Sequence, residues 1–305
     1  MSCFRLLMLT AVTLAALMTA AFADVSAPIP NPIPPTATPI FTPPTTVTIP
    51  PTSTSTVPNA KADPAAAVMY STDPSRFRRA EFTYKMGFGV KAADDVSAQA
   101  LGPILDQIAS ALSRMSGEGA MEVIDARTGK VNMRMKINMD AMEVETVIVD
   151  GVSWVRTGPD KPWQKSDLTS LMTGAMDPAT ALAMIKNASK VEWVEETELN
   201  GERVHHLRYM IDPSKGNFGK LLKTAGTDTM PKEKLDAIFA TMTVDAELWL
   251  RAGDLQIRQQ RVRVTMPMPL PEEDRLKDVK LLMDIDMLMS YTKVNEPVLI
   301  EAPKE

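Results

Sequence analysis

Long stretches of strict two-residue alternation constrain this chain more than any other feature. Residues 79–90 place Phe82, Tyr84, Met86, Phe88 and Val90 on one side and Glu81, Thr83 and Lys85 on the other. Residues 131–140 repeat the pattern, with Val131, Met133, Met135, Ile137 and Met139 against Asn132, Arg134, Lys136 and Asn138. Met142, Val144, Thr146 and Ile148 then alternate with Glu143 and Glu145, and residues 278–291 alternate through Val279, Leu281, Met283, Ile285, Met287 and Met289. Successive side chains of a strand point to opposite faces, so period two with one polar side predicts half-buried antiparallel sheet.

The turns between these runs carry matching chemistry. Asp150-Gly151 and Asn200-Gly201 are two-residue type I′ signals, the first leading into residues 152–156 and the second joining 190–199 to 202–212. Arg127-Thr128-Gly129-Lys130 links residues 120–126 to the 131–140 strand, and Ala252-Gly253-Asp254 links 243–250 to 255–266. Three segments show helical spacing instead. Residues 97–115 carry Leu101, Ile104, Leu105, Ile108, Leu112 and Met115 at helical intervals. Asp177-Pro178 reads as an N-cap followed by proline at the first helical position, opening residues 179–187, and residues 231–242 bring Leu235, Ile238 and Phe239 to one side. The expected fold is mainly β within the α+β class: about ten strands in sequential hairpins. Such a meander closes into a barrel or curls around helices that cover its apolar face.

The first 63 residues are of a different kind. Residues 1–23 have a positive start at Arg5, an apolar run and Ala21-Phe22-Ala23 before Asp24, the parts of a cleaved signal peptide. The competing reading is an uncleaved anchor, since residues 6–23 reach the lower limit for crossing a bilayer. Residues 24–63 are dominated by Pro, Thr and Ser, which favour polyproline II and build no packed core. They are expected to be a disordered linker, leaving residues 64–305 as the folded body. Cys3 is the only cysteine and lies in the leader, so disulfides, thiol catalysis and thiolate metal sites are excluded from the exported chain. A net charge of −5 argues against nucleic acid as a partner.

Chemistry-bearing constellations are sparse. His205 and His206 are adjacent in a predicted strand and therefore face opposite ways, so they cannot converge on one metal or substrate atom. No nucleophile elbow or phosphate-binding loop is present, and Gly87-Phe88-Gly89 sits inside a strand without the rest of a dinucleotide fingerprint. Glu143 with Glu145, and Asp284 with Asp286, share strand faces, an arrangement that can serve acid–base hydrolysis or bind a cation. The simpler expectation is a solvated face balanced by Arg134, Lys136, Arg261 and Arg263. No catalytic residue, metal or cofactor is expected. What remains is the apolar side of the strands, unusual in using 22 methionines against 5% aromatics. It is either plain core or the wall of a cavity, where a flexible, polarizable thioether suits flexible apolar ligands.

The order of segments resembles the LolA/LppX-like superfamily of bacterial lipoprotein carriers, in particular the LppX/LprG/LprF type. The resemblance runs through Glu145–Arg156 followed by Lys161-Pro162-Trp163-Gln164-Lys165, then Glu196 to Leu207 around Asn200-Gly201, then Ala246-Glu247-Leu248-Trp249-Leu250, and finally Tyr291 to Ile300. It implies a strongly curved antiparallel sheet, a half-barrel, with helices over the concave face and acyl chains of lipids or lipoproteins held between them. Where mycobacterial members carry a lipidated cysteine after the signal, this chain has Asp24. The resulting expectation is an exported, extracytoplasmic, non-enzymatic binder of lipid or lipoprotein acyl chains. Its candidate lining is Phe82, Met86, Phe88, Met133, Met135, Met139, Val144, Ile148, Met283 and Met287. The alternative is an envelope protein-interaction or sensor module that uses the same fold without a ligand.

Overall fold

The computed structural model describes residues 57–73, 76–98, 115–125, 130–139, 142–166, 188–213, 232–268 and 280–303. Eleven strands form one antiparallel sheet: β1 (Arg79–Ala92), β2 (Met115–Asp125), β3 (Lys130–Met139), β4 (Met142–Val149), β5 (Val152–Thr157), β6 (Gln164–Ser166), β7 (Ala188–Leu199), β8 (Glu202–Ile211), β9 (Thr243–Arg251), β10 (Ile257–Met268) and β11 (Leu281–Thr292). Among the described residues the helices α1 (Pro64–Ser71) and α2 (Lys232–Thr241) accompany them. The order across the sheet is β6-β5-β4-β3-β2-β1-β11-β10-β9-β8-β7. Two hairpin meanders thus join at the centre, where β1 pairs with β11 from Glu81 opposite Thr292 to Ala92 opposite Leu281. The strands β6 and β7 are consecutive in sequence yet lie at opposite margins, so the sheet is an open, curved half-barrel rather than a closed one.

Local sequence explains the hairpins. Asp150 and Gly151 have φ of 53° and 81°, and Asn200 and Gly201 of 51° and 83°, as a type I′ turn demands at both central positions. Curvature has a local cause in β2. A Cβ on Gly117 would stand 2.0 Å from the Lys136 carbonyl oxygen and 2.6 Å from the Tyr84 ring, and one on Gly119 would stand 2.5 Å from Phe82. Glycine at these two positions lets the Phe82 and Tyr84 rings fold across β2, and the Tyr84 hydroxyl reaches the Lys136 carbonyl on β3 at 3.5 Å. Glycines inside strands mark such tight bends and close approaches.

The inner face holds a single core. Phe82, Tyr84, Met86, Met133, Met135, Ile137, Leu207, Tyr209, Leu248, Val264, Ile285 and Met287 are all buried and belong to one cluster. The helix α1 closes one end of it. Asp63 caps α1 by accepting from the Ala66 N–H at 2.9 Å, Pro64 follows at the start, and Ala67 and Val68 are buried against the sheet. Phe77 sets its ring edge-on to Tyr291, with centroids 5.4 Å apart. Asn295, after β11, accepts from the Arg78 N–H at 2.9 Å and so ties the end of the chain to the start of β1.

Met115, expected to end a helix, opens β2 and pairs with Met86 and Met139. Asp94 does accept from the Ser97 N–H at 2.8 Å, but residues 99–114, like the segment 178–187, lie outside the described residues. The third expected helix is present as α2. Neither β6 nor α1 was anticipated, although Asp63-Pro64 is the same cap-and-proline signal as Asp177-Pro178. Ala60 is 1% exposed, so packing begins within the last residues of the expected linker.

Candidate functional site

Alternation puts the methionines of β1, β2, β3, β10 and β11 on the inner face, and register then brings them together. Met86 on β1 lies opposite Met287 on β11 and Met115 on β2, Met283 lies opposite Met266 on β10, and Met133 lies opposite Ile148 on β4. Ten methionines among the described residues are buried, nine of them contributed by β1, β2, β3, β10 and β11. By contrast, β8 and β9 present Leu207, Tyr209, Val244, Ala246, Leu248 and Leu250. The concave face is therefore thioether-rich at its centre and towards β3, and aliphatic towards the β8–β9 side.

Of the ten candidate lining residues, Phe82, Met86, Met133, Met135, Ile148, Met283 and Met287 are buried on this face. Phe88 and Val144 are partly buried and packed against the same cluster. The side chain of Met139 lies outside the described residues. Met115, Met121, Met266 and Met289 belong to the same cluster and were not among the candidates. Met266 was legible, since it continues the alternation of Val262 and Val264 in β10. Met86, Met133 and Met287 are only 1–2% exposed, so an apolar ligand reaches them by displacing the groups that cover them.

Three polar groups interrupt the apolar face near α1. Gln260, 2% exposed, accepts from the Tyr291 hydroxyl at 3.4 Å and also contacts the Tyr209 phenol. Burial pushes the Tyr209 and Tyr291 phenols well above the ordinary tyrosine range, which keeps both neutral.

The outer face is a ladder of ion pairs. Arg261 bonds Asp286 through both its Nε, at 2.8 Å, and its Nη2, and this contact holds the Asp286 carboxyl below the usual carboxylate range. Lys91 lies 2.8 Å from Asp284 and Lys136 2.7 Å from Glu143. A general acid needs a raised pKa, so a lowered, cation-saturated Asp286 fits a solvated structural face. Glu145 departs from that expectation. It is 5% exposed, bonded at 2.9 Å to Arg156, which stacks over Trp163 at 4.8 Å, because the loop between β5 and β6 folds over this part of the face.

The histidines part as expected. His206 is on the outer face, 3.0 Å from Glu247 and stacked on Trp249 at 4.4 Å, whereas His205 lies opposite Leu250 and Glu196 on the inner side. Among the described residues no cluster of three or more His, Cys, Asp or Glu side chains could hold a metal, and no helix is long and apolar enough to cross a membrane. Two pockets of about 290 and 270 Å³ are open to solvent. The first lies on the outer face around Glu81, Glu118, Arg134 and Lys136, and the second beside α1 around Tyr70, Arg76, Asp254 and Asn295. Phe82 is the one candidate lining residue that borders either of these two.

The described residues form one open, curved antiparallel sheet accompanied by few helices. Among solved structures, the chain is similar to the lipoprotein LppX of Mycobacterium tuberculosis, with 11% identity, a TM-score of 0.42 and coverage of 78% of this chain and 97% of that one. It is likewise similar to LprF of Mycobacterium bovis, with 8% identity, a TM-score of 0.44 and coverage of 80% and 98%. A LolA superfamily protein of Nitrosomonas europaea matches with 10% identity, a TM-score of 0.23 and coverage of 77% and 93%. No protein-family model and no curated protein matches the chain.

Proposed function

We propose that this protein is an exported, non-enzymatic binder of acyl chains, with the methionine-rich centre of the concave face as its binding wall. The observation that supports this reading is the cross-strand clustering of Met86, Met115, Met133, Met266, Met283 and Met287 on one face of an open sheet. A plain β core is filled as well or better by branched residues with fixed rotamers. Methionine has three rotatable bonds and a polarizable sulfur, so it repacks around guests of varying length. The closed packing of the wall implies admission by displacement: thioethers swing aside and the acyl chain takes their place. Each methylene transferred from water contributes about 0.8 kcal/mol, so a single twelve-carbon chain supplies several kcal/mol after the repacking penalty. Phe82, Phe88, Met135, Met139, Val144 and Ile148 complete the proposed lining. The ligand class is lipid or lipoprotein acyl chain, and the compartment is the extracytoplasmic envelope, reached through the leader at residues 1–23.

The test is lipid extraction of the purified full-length protein, followed by titration with a fluorescent fatty acid. Co-purified lipid, or uptake that weakens about tenfold or more when Met133 and Met287 are both replaced by the branched residue Ile, supports the proposal. Absence of lipid together with absence of uptake overturns it and favours the ligand-free interaction module.

A further inference from the structure

The methionine wall proposed above offers an acyl ligand only apolar side chains, and such a ligand also has a head. Two buried polar atoms on the concave side have no hydrogen-bond partner among the described residues, Trp193 Nε1 and His205 Nδ1. Both belong to the β7–β8 pair. Trp193 lies opposite Leu207 and His205 opposite Glu196, and Leu207 and His205 in turn lie opposite the buried Leu248 and Leu250 of β9. The two side chains therefore share the inner face as diagonal neighbours, a relation that keeps Cβ atoms within about 7–8 Å. A bulge between Trp193 and Glu195 shifts the register there. That extra residue moves Glu196 onto the inner side beside His205.

The chain entering α1 brings a cation to the same place. Ala60 is buried, and Asn59 Oδ1 accepts from the N–H groups of Lys61 and Ala62 at 3.0 and 3.1 Å, which fixes the turn before α1. Lys61 Nζ then stands 4.9 Å from the centroid of the Trp193 ring. Glu196 does not fill the vacant positions. Its carboxylate lies 3.7 Å from His205 Nδ1, beyond hydrogen-bonding range, and is bound to Arg203. Glu198, opposite Arg203 in the ladder, is exposed. An indole N–H can only donate, and a buried donor left unmade costs about 1–3 kcal/mol. A buried donor with an ammonium over its ring is complementary to an anionic oxygen.

We infer that Trp193, His205 and Lys61 form a head-group site for a carboxylate or phosphate, placed at the β7–β8 side of the concave face while the methionine wall takes the chain. This rests on the acyl-binding reading and deepens it. Trp193 Nε1 donates to the anionic oxygen, His205 Nδ1 donates in the tautomer that carries its proton there, and Lys61, which also faces the Arg203-bound Glu196, supplies the balancing charge. An uncharged head lacks the charge that makes such hydrogen bonds strong. The site therefore selects ionised acyl ligands over alcohols of equal length.

Isothermal titration of the full chain with laurate, dodecanol, acetate and inorganic phosphate tests the inference, using Trp193→Phe, Lys61→Gln and, as an outer-face control, Trp249→Phe. The expected result is tighter binding of laurate than of dodecanol. Trp193→Phe should weaken laurate about tenfold, the value of one charged hydrogen bond, and leave dodecanol unchanged. Lys61→Gln should act in the same direction without touching the core, and Trp249→Phe should do nothing. Retention of the full laurate preference in both inner-face variants overturns the head-group site, as does equal binding of laurate and dodecanol by the unaltered protein; either leaves the acyl wall standing. If laurate and dodecanol both fail to bind while acetate or phosphate binds in a Trp193-dependent way, the anion site stands and the acyl reading falls. If none of the four binds, both fall.

Discussion

Replacing Gly117 by Ala tests the physical account of how this sheet curves. The new Cβ would lie 2.0 Å from the Lys136 carbonyl oxygen and 2.6 Å from the Tyr84 ring and hydroxyl. A carbon–oxygen contact relaxes to about 3.3 Å, so β3 must retreat from β2 by about 1 Å. A ring tip could swing away, but a backbone carbonyl in the middle of a ladder cannot move alone. Overpacking costs about 1–3 kcal/mol, and one or two weakened ladder bonds add about 1 kcal/mol each, giving about 3 kcal/mol in total. Gly87, on the outer side of β1, is the control. A Cβ there meets nothing within 4 Å, and its φ is not positive. The same Gly→Ala change should stabilise by about 0.4–1 kcal/mol through the unfolded chain's lost freedom. Urea unfolding followed by far-ultraviolet circular dichroism separates the two. With a slope near 2–3 kcal/mol/M, Gly117→Ala should lower the midpoint by about 1 M while Gly87→Ala leaves it level or raises it. Midpoints that move together, in either direction and by similar amounts, would refute the argument that Gly117 is required by close approach.

Three further outcomes follow from the electrostatics. Arg156→Ala strands the Glu145 carboxylate, 5% exposed, and should cost about 3 kcal/mol in urea unfolding, against less than about 1 kcal/mol for Lys130→Ala in the exposed pair with Asp150. The Asp286 carboxyl is held low by Arg261, so its folded pKa lies below its unfolded one. The stability it contributes is present above the unfolded value of about 4 and is lost as pH falls through the folded value, and Asp286→Asn should flatten the acid limb of a midpoint-versus-pH curve. The phenols of Tyr209 and Tyr291 are raised by burial. The unfolded chain therefore releases protons first as pH rises past about 10, and phenolate absorbance should grow together with loss of sheet signal rather than before it.

Much of the fold was legible along the chain. The alternation in β1, β3 and β11, and the Asp150-Gly151 and Asn200-Gly201 turns, are local properties, because side-chain direction and turn φ are set within a few residues. These properties settled most of the strands, which side those strands turn inward, and the opposite fates of His205 and His206. They also settled that methionine would dominate one face. The sequence did not reveal that β1 and β11, separated by almost the whole body, are neighbours at the centre of the sheet. Nor did it show that Gly117 must be glycine, since the group it avoids is a carbonyl on another strand. Glu145 reads as a solvated carboxylate until the Trp163 loop covers it, and Lys61 reads as the end of a tether until the turn before α1 lays it over Trp193. Burial and convergence depend on which distant segments meet, and contacts of that kind leave no period in the chain that makes them.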